Sequence, residues 1–379
     1  MAAARPWSSL HEDLLASIFL LLACLTDLVR ASAVSKHWRR VALHNASPLP
    51  WLLNPSTART DCYRIFGGFA DPRPALSDEI EGRGARFCGS APGGWVVVQN
   101  RPTCRTHHWR GHAMLNLRTG ERVPLPDRVR IPIKSDGIRC PMMIRAAVMS
   151  AAPPSPSCVV AALTSIQTIM AFCSPGVDCW SSLPAEMTAP PDAQDLTYHD
   201  GWFWAVDSHE DLYCYKAKIS TSTRTILQRG YQIRAPRTNL APGEIVSRYL
   251  LPSASGADLL MVRRFTSPAK GRTTRFQVFK LQMQEEGRPT SWRDYQMTRQ
   301  VLFVGRACSK AFDTGHAGNP GYIYFLDDVY PGSPHSFLQQ KEYPNTDAGG
   351  WRYSVSDEIV RCLPSAPPSD TSPCIWYHH

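Results

Sequence analysis

The chain has 379 residues, long enough for one small and one large domain or for a single large one, and its 43% of hydrophobic residues is normal for a globular protein and too rich for disorder. No apolar run reaches the roughly 20 residues that a bilayer-spanning helix needs. The 12 cysteines are scattered through a long chain, which fits a reducing cytosolic or nuclear setting better than a disulfide framework.

The formal net charge is +9, and its distribution decides what that means. Basic residues are dispersed as Arg101, Arg105 and Arg110, Arg128 and Arg130, Arg263 and Arg264, and Arg272 and Arg275, with no lysine-rich tail. Such spacing describes a solvated basic surface, or one matched to an acidic partner, in preference to a nucleic-acid-binding segment.

In chain order, the first elements are two short amphipathic helices. Ser9 and Glu12 stand at capping-box spacing, where a hydroxyl and a carboxylate meet the first backbone N–H groups. Leu14, Ile18, Leu21, Leu22 and Leu25 follow at intervals of three and four and line one face. Leu15 and Phe19 widen that stripe beyond what one partner helix covers. Thr26 suits the N-cap of a second helix and Asp27 its positive dipole end. Leu28, Ala31, Ser35, Trp38 and Val41 then share a face, with Arg30, Lys36, Arg39 and Arg40 largely elsewhere. The pair carries more apolar surface than it buries internally, so part of that surface is expected to belong to another protein. A secretory signal is the competing reading of residues 14–25. Glu12 and Asp13 just before the apolar run, with Arg5 as the basic residue ahead of them, weigh against it.

Beyond Trp51 the helical period fades into short apolar runs separated by Gly, Pro, Ser and Asp, which is strand-and-turn patterning. The clearest strands are expected at 94–98, 112–117, 158–163, 201–206, 211–215, 258–262, 276–281 and 321–326. Segments 203–206 and 212–215 flank a polar connection of hairpin length, and Gly120 marks a turn before residues 122–126. Trp180 and Trp292 each sit in the outer segment of a repeating unit. Four short strands repeated around an axis describe a β-propeller, with a β-sandwich as the alternative.

Two sets of residues carry a family resemblance. Leu10, Asp13, Leu14, Leu15 and Ile18, then Asp27 and Leu28, then Val34, Ser35, Lys36, Trp38 and Arg39 resemble an F-box. That is the module by which substrate receptors dock on the SKP adaptor of a cullin-RING (SCF) ubiquitin ligase. By position, Leu10, Leu14, Leu15, Ile18, Leu28, Val34 and Trp38 correspond to its apolar positions, some facing the adaptor and some closing the module's own core. His11 stands where the family usually has Pro, and Ser35 where it commonly has Cys. In the body, five ordered motifs resemble the plant F-box proteins with domain of unknown function 295, the KIB-type β-propeller. They are residues 94–98, Leu115 to Pro126, Tyr198 to Ser208, Gly318 to Asp328, and Pro373 to Trp376.

The resemblance implies a mainly β fold. A small α-helical F-box over 5–45 and a connection over 46–90 would precede a β-propeller-like domain of four-stranded units over 91–379. It further implies a non-catalytic substrate-recognition subunit of an SCF-type E3 ubiquitin ligase in cytoplasm or nucleus. Its partners would be the SKP adaptor, through it the cullin-RING ligase, and an unknown target protein. The alternative is an interaction or scaffold protein whose F-box is degenerate and assembles no ligase.

No residue pattern argues for catalysis, a cofactor or a metal. Cys104, His107, His108 and His112 lack the second ligand pair that structural zinc requires, and residues 107–110 read as a polar loop between two strands. Asp327 and Asp328 read as turn formers. No nucleophile elbow, P-loop or Rossmann fingerprint is present. The consecutive Trp202, Phe203 and Trp204 alternate across a strand, and packing of both tryptophans is expected if Phe203 is core. Aromatic residues exposed beside Arg would suit a protein interface.

Overall fold

The computed structural model describes residues 7, 10–21, 31–45, 50–54, 61–64, 86–99, 111–132, 137–166, 170–184, 187, 190, 192–219, 224–231, 233, 236, 239–267, 272–284, 287–297, 300–313, 321–326, 350–355, 359–362 and 375–378. Two helices, α1 (Glu12–Leu21) and α2 (Lys36–Asn45), come first, and strands make up the regular structure of the rest. The expected residues Leu22, Leu25, Thr26, Leu28, Cys104, His107, His108, Asp327, Asp328 and Pro373 lie outside the described residues, as do Ser9 and Gly318.

Among the described residues the strands form a five-bladed propeller. Blade one is β3 (Arg86–Ala91), β4 (Trp95–Gln99), β5 (His112–Asn116) and β6 (Arg122–Leu125). Here β1 is Trp51–Asn54 and β2 is Asp61–Arg64. Blade two is β9 (Ile144–Met149), β10 (Val160–Thr164), β11 (Met170–Cys173) and β12 (Trp180–Ser182). A hairpin of β7 (Arg128–Ile131) and β8 (Ile138–Pro141) extends it, β7 running parallel to β12. Blade three is β13 (Asp195–His199), β14 (Trp202–Val206), β15 (Leu212–Ile219) and β16 (Arg224–Tyr231). Blade four is β17 (Ile245–Pro252), β18 (Leu259–Ser267), β19 (Arg272–Met283) and β20 (Pro289–Asp294).

Blade five departs from the simple meander. Its strands are β21 (Gln300–Val304), β22 (Lys310–Asp313), β23 (Tyr322–Leu326), β24 (Gly350–Ser354) and β25 (Ile359–Cys362), in the order β22-β21-β23-β24-β25. The β21–β22 hairpin lets β23 pair with β21 in parallel. A further sheet, β2-β1-β26, joins the N-terminal strands to β26 (Ile375–Tyr377) near the C-terminus. Thus β1 and β2, within residues 46–90, are sheet, and β3 opens the first blade at Arg86.

Each expected strand is present, and the 203–206 and 212–215 segments pair as a hairpin. Asp200 and Gly201, both with positive φ (47° and 76°), make the tight β13–β14 turn whose twist suits antiparallel strands. Trp180 and Trp292 lie buried on the outer strands of blades two and four. Phe203 and Trp204 are buried, as packing required, whereas Trp202 stays partly exposed.

Apolar wedges between neighbouring blades form the core. One wedge joins blades one, two and three through Val97, Phe172 and Tyr215. Another joins blades three and four through Trp204, Met261 and Phe279, and a third joins blades four and five through Val262, Phe276 and Phe325. Burial of Phe, Tyr and Trp at such joints supplies about 1.5–3 kcal/mol per side chain.

Polar bolts run from blade to blade around the axis. Arg86 of blade one donates to the Arg145 carbonyl of blade two at 3.1 Å, and Arg145 donates to the Ala193 carbonyl at 3.3 Å. Asp195, fully buried on β13, accepts the Leu250 amide of blade four at 2.9 Å and the Ala307 amide of blade five at 2.8 Å. Ala307 in turn accepts from the Ser90 amide of blade one at 3.3 Å. Between blades three and four, Glu210 is buried against Arg248 at 2.9 Å and Arg263 at 2.6 Å. Arg264 reaches from blade four to the Leu326 carbonyl of blade five.

The C-terminal strand closes the ring. Trp376 donates its indole N–H to the Val304 carbonyl at 2.9 Å, and its own carbonyl accepts the Ser90 hydroxyl. His378 reaches the Cys308 carbonyl at 2.9 Å, while the Gly94 amide donates to the His378 carbonyl at 3.0 Å. Blades one and five are thereby tied through one short segment.

Two outcomes test this scheme. Burial drives the pKa of Asp195 from 3.8 up to about 7, against the opposing pull of the two amides and Arg306. A raised carboxylate pKa favours the protonated folded state, so this group's stabilisation is present at low pH and is lost as pH rises from 3.8 through about 7. The thermal midpoint of the wild type is therefore expected to fall, relative to that of Asp195→Asn, over that window. Separately, a Cβ on Gly89 meets the Ala147 carbonyl oxygen at 1.9 Å where blades one and two touch, and backbone cannot yield cheaply. Gly89→Ala is expected to destabilise by more than about 3 kcal/mol in chemical denaturation.

Candidate functional site

The two helices form a separate small core. Leu15 and Phe19, one turn apart on α1, are buried against Val41 and Ala42 of α2. Phe19 meets Trp38 edge-to-face at 5.6 Å between ring centroids, the arrangement favoured by the ring quadrupoles. Leu10, Ala16, Ala31 and Trp38 pack around this centre.

Polar contacts fix the approach of the helices. The Ser35 hydroxyl accepts the Trp38 amide at 3.1 Å and the Ser35 carbonyl accepts the Arg39 amide at 2.9 Å, so Ser35 is the N-cap of α2. Its hydroxyl does what a thiol at this position does poorly. His37 Nε2 meets the Leu10 carbonyl at 2.9 Å, and the Trp38 indole donates to the Trp7 carbonyl at 3.2 Å. Arg40 pairs with Glu12 across the two helices. His11 occupies the α1 N-cap position: its carbonyl accepts the Leu15 amide at 3.0 Å, and its Nδ1 accepts the Asp13 amide at 3.4 Å.

This packing sorts the expected docking residues. Leu15 is core, while Leu10, Ile18 and Trp38 are half-buried. Leu14 and Val34 are each 60% exposed. The expected face of α1 is thus divided: Leu15 and Phe19 point at α2, and Leu14 and Ile18 lie on the flank about 100° away. Trp7, absent from the expected set, is 69% exposed although its carbonyl is held by Trp38. A large apolar side chain beside Leu10 was its available signal. Leu14, Val34 and Trp7 are therefore apolar side chains that the module itself leaves exposed.

Elsewhere the titratable groups serve packing. His112 is buried with Nδ1 at 2.9 Å from the Pro126 carbonyl, and burial lowers its pKa. Burial lifts the thiols of Cys88 and Cys158 to about 11 and of Cys214 to about 12, and lifts Cys173 as well, which leaves little thiolate for nucleophilic work. Among the described residues no group of three or more His, Cys, Asp or Glu is placed to hold a metal ion. No described helix is long and apolar enough to cross a membrane.

Leu15→Asp is expected to abolish the helical module's cooperative unfolding, whereas Ser35→Ala should cost it about 1 kcal/mol through loss of the cap. Hydrogen exchange of the α1 and α2 backbone amides reads both.

Comparison with known proteins follows the same division. A family model described as KIB1-4 beta-propeller matches residues 70–351, and an F-box-like model matches residues 7–47. No curated protein matches the chain. Solved structures that align with the chain include the N-terminal domain of Nup159, at 9% identity and TM-score 0.36, covering 88% of this chain and 90% of that one. The Myceliophteria thermophila Cps50 (Swd1) β-propeller domain aligns at 11% identity and TM-score 0.32, covering 84% and 94%. A GH43 β-1,3-galactosidase aligns at 9% identity and TM-score 0.35, covering 66% and 90%. Scores this low carry no argument about function.

Proposed function

This chain belongs to the KIB1-4 β-propeller family and carries an F-box-like domain, and from that premise we propose that it is the substrate-recognition subunit of an SCF-type E3 ubiquitin ligase. The F-box, residues 5–45, docks on the SKP adaptor, and the propeller, whose first blade opens at Arg86, holds a target protein. The observation that carries the reading is the exposure of Leu14 and Val34 at 60% each, on a module whose core is already closed by Leu15, Phe19, Val41 and Ala42. Exposed aliphatic side chains on a packed scaffold are what a partner helix buries.

Leu14, Ile18, Val34 and Trp7 contact the adaptor in this reading. Leu10, Leu15 and Trp38 hold those residues in place, and Leu28 completes the motif by position. The chain contributes proximity and orientation, while the ligase supplies the conjugating chemistry. The thiols Cys88, Cys140, Cys158, Cys173 and Cys214, none of them in a disulfide, suit a cytosolic or nuclear setting.

Pull-down with the purified SKP adaptor tests the proposal. Wild type is expected to capture the adaptor, and Leu14→Asp with Ile18→Asp should reduce capture by more than about tenfold, since a charge in an apolar contact is left unpaired. Trp7→Ala should weaken capture less. Absence of capture by wild type sinks the ligase reading in favour of a scaffold protein, and capture that survives both charges means another surface docks.

A further inference from the structure

The long hairpin of blade three extends past its own sheet. Strand β14 pairs with β15 over residues 212–215, whereas β15 pairs with β16 out to Ile219 and Arg224. The outer part is a two-stranded ribbon with unlike faces. Ile219 and Ile226 are buried in the core shared with blade two, and Tyr215 packs on Phe172 at 5.7 Å. Lys216 and Lys218 alternate onto the opposite, exposed face, as do Thr225, Leu227 and Arg229 on β16.

This exposed face has a defined chemistry. Trp202 is partly open at its edge, with Arg229 over its ring at 5.0 Å and Lys216 at 5.7 Å. Lys216 lies opposite Leu227, which is 54% exposed. Among the described residues no carboxylate pairs with Lys216, Lys218 or Arg229, although Lys280, Arg139, Arg248 and Arg275 on other blades each have one. Lys216 of β15 and Arg229 of β16 thus flank the indole, Lys218 lies further along β15, and Leu227 sits on β16, the outer strand of the sheet.

Charged edges alone guard a sheet against pairing with strangers. That role asks only for charge. It gives no reason to gather the cations around a tryptophan and a leucine, the side chains that anchor interfaces. We infer that this ribbon is the target-docking surface, and that it takes an extended, acidic protein segment with apolar residues between its carboxylates. The segment lies along β16 with alternate side chains over the exposed face, carboxylates at Lys216, Lys218 and Arg229 and an apolar group at Leu227 and the Trp202 edge. This deepens the receptor reading by naming the class of target.

Fluorescence anisotropy of the full-length chain with a fluorescein-labelled peptide repeating Glu-Ser-Val-Ser, which sets Glu and Val in turn on one face of an extended strand, tests the inference. Saturable binding that weakens as salt rises is expected, with much weaker binding of the same peptide carrying Gln for Glu. The combined Lys216→Glu, Lys218→Glu, Arg229→Glu variant should bind about tenfold or more weakly at an unchanged thermal midpoint, and Lys216→Gln with Lys218→Gln should show a smaller loss. The inference is overturned by equal binding of both peptides, by no binding, or by binding that the charge reversals leave intact. Tighter binding of oligothymidylate, lost in the same variant, overturns it in favour of a nucleic-acid surface. Adaptor pull-down of the charge-reversal variant separates the two readings: it should equal wild type, because the F-box is untouched.

Discussion

One carboxylate, Asp195, holds three blades in register at the axis. Its two oxygens take the amides of Leu250 and Ala307, which belong to different blades from its own. A buried amide without an acceptor costs about 1–3 kcal/mol, so neither blade can retreat without leaving a donor stranded. Ala307 itself sits at φ +53°, a left-handed conformation that costs a non-glycine residue about 1–2 kcal/mol. It persists because its amide serves Asp195 and its carbonyl serves Ser90, so both of its backbone groups are used across blade boundaries.

The same logic recurs farther out, where charges do the joining. Glu210 stands at φ +74° in the β14–β15 turn, and from there its carboxylate meets both Arg248 and Arg263 on the next blade. Burying such a group is costly unless every charge finds a partner, and Arg263 also donates to the Pro236 carbonyl and lies over Phe279 at 4.4 Å. Apolar wedges supply the bulk of the attraction between blades. The buried polar contacts fix the register in which those wedges meet, since a blade shifted by one residue would leave the charges unpaired.

How much of this was legible in the sequence depends on how local the signal is. Strands such as β4, β14 and β23 were readable because each is a compact run rich in β-branched or aromatic residues. The hairpin β7–β8 was not, because Arg128, Arg130 and Arg139 make it look like loop. Strand β16 likewise alternates apolar residues with Arg and Gln on a half-exposed ribbon. On α1 the helix was legible but its orientation was not. Leucines on most sides leave the period unable to choose between the Leu14–Ile18 flank and the Leu15–Phe19 flank, and the position of α2 decides it. Asp195 carried no local signal at all, since its two amide partners lie 55 and 112 residues away in the chain.

The ring closure bears directly on how the proposed receptor would present a docked target. Strand β1 is part of the closing sheet with β26, and only residues 46–50 separate it from α2. A fully extended connection of that length spans about 20 Å at ~3.5 Å per residue, so the docking helices are tethered close to the closing sheet whatever path the chain takes. From that sheet, Trp376 and His378 transmit position rigidly into blades one and five, and the Asp195 hub carries it into blades three and four. Blade three, with its cationic ribbon, is held to that closed ring by the Asp195 bonds to blades four and five. A short tether at one end and a closed ring at the other limit how far a target on that ribbon can wander from the adaptor. That restriction is the kind of orientation the proposed receptor role requires.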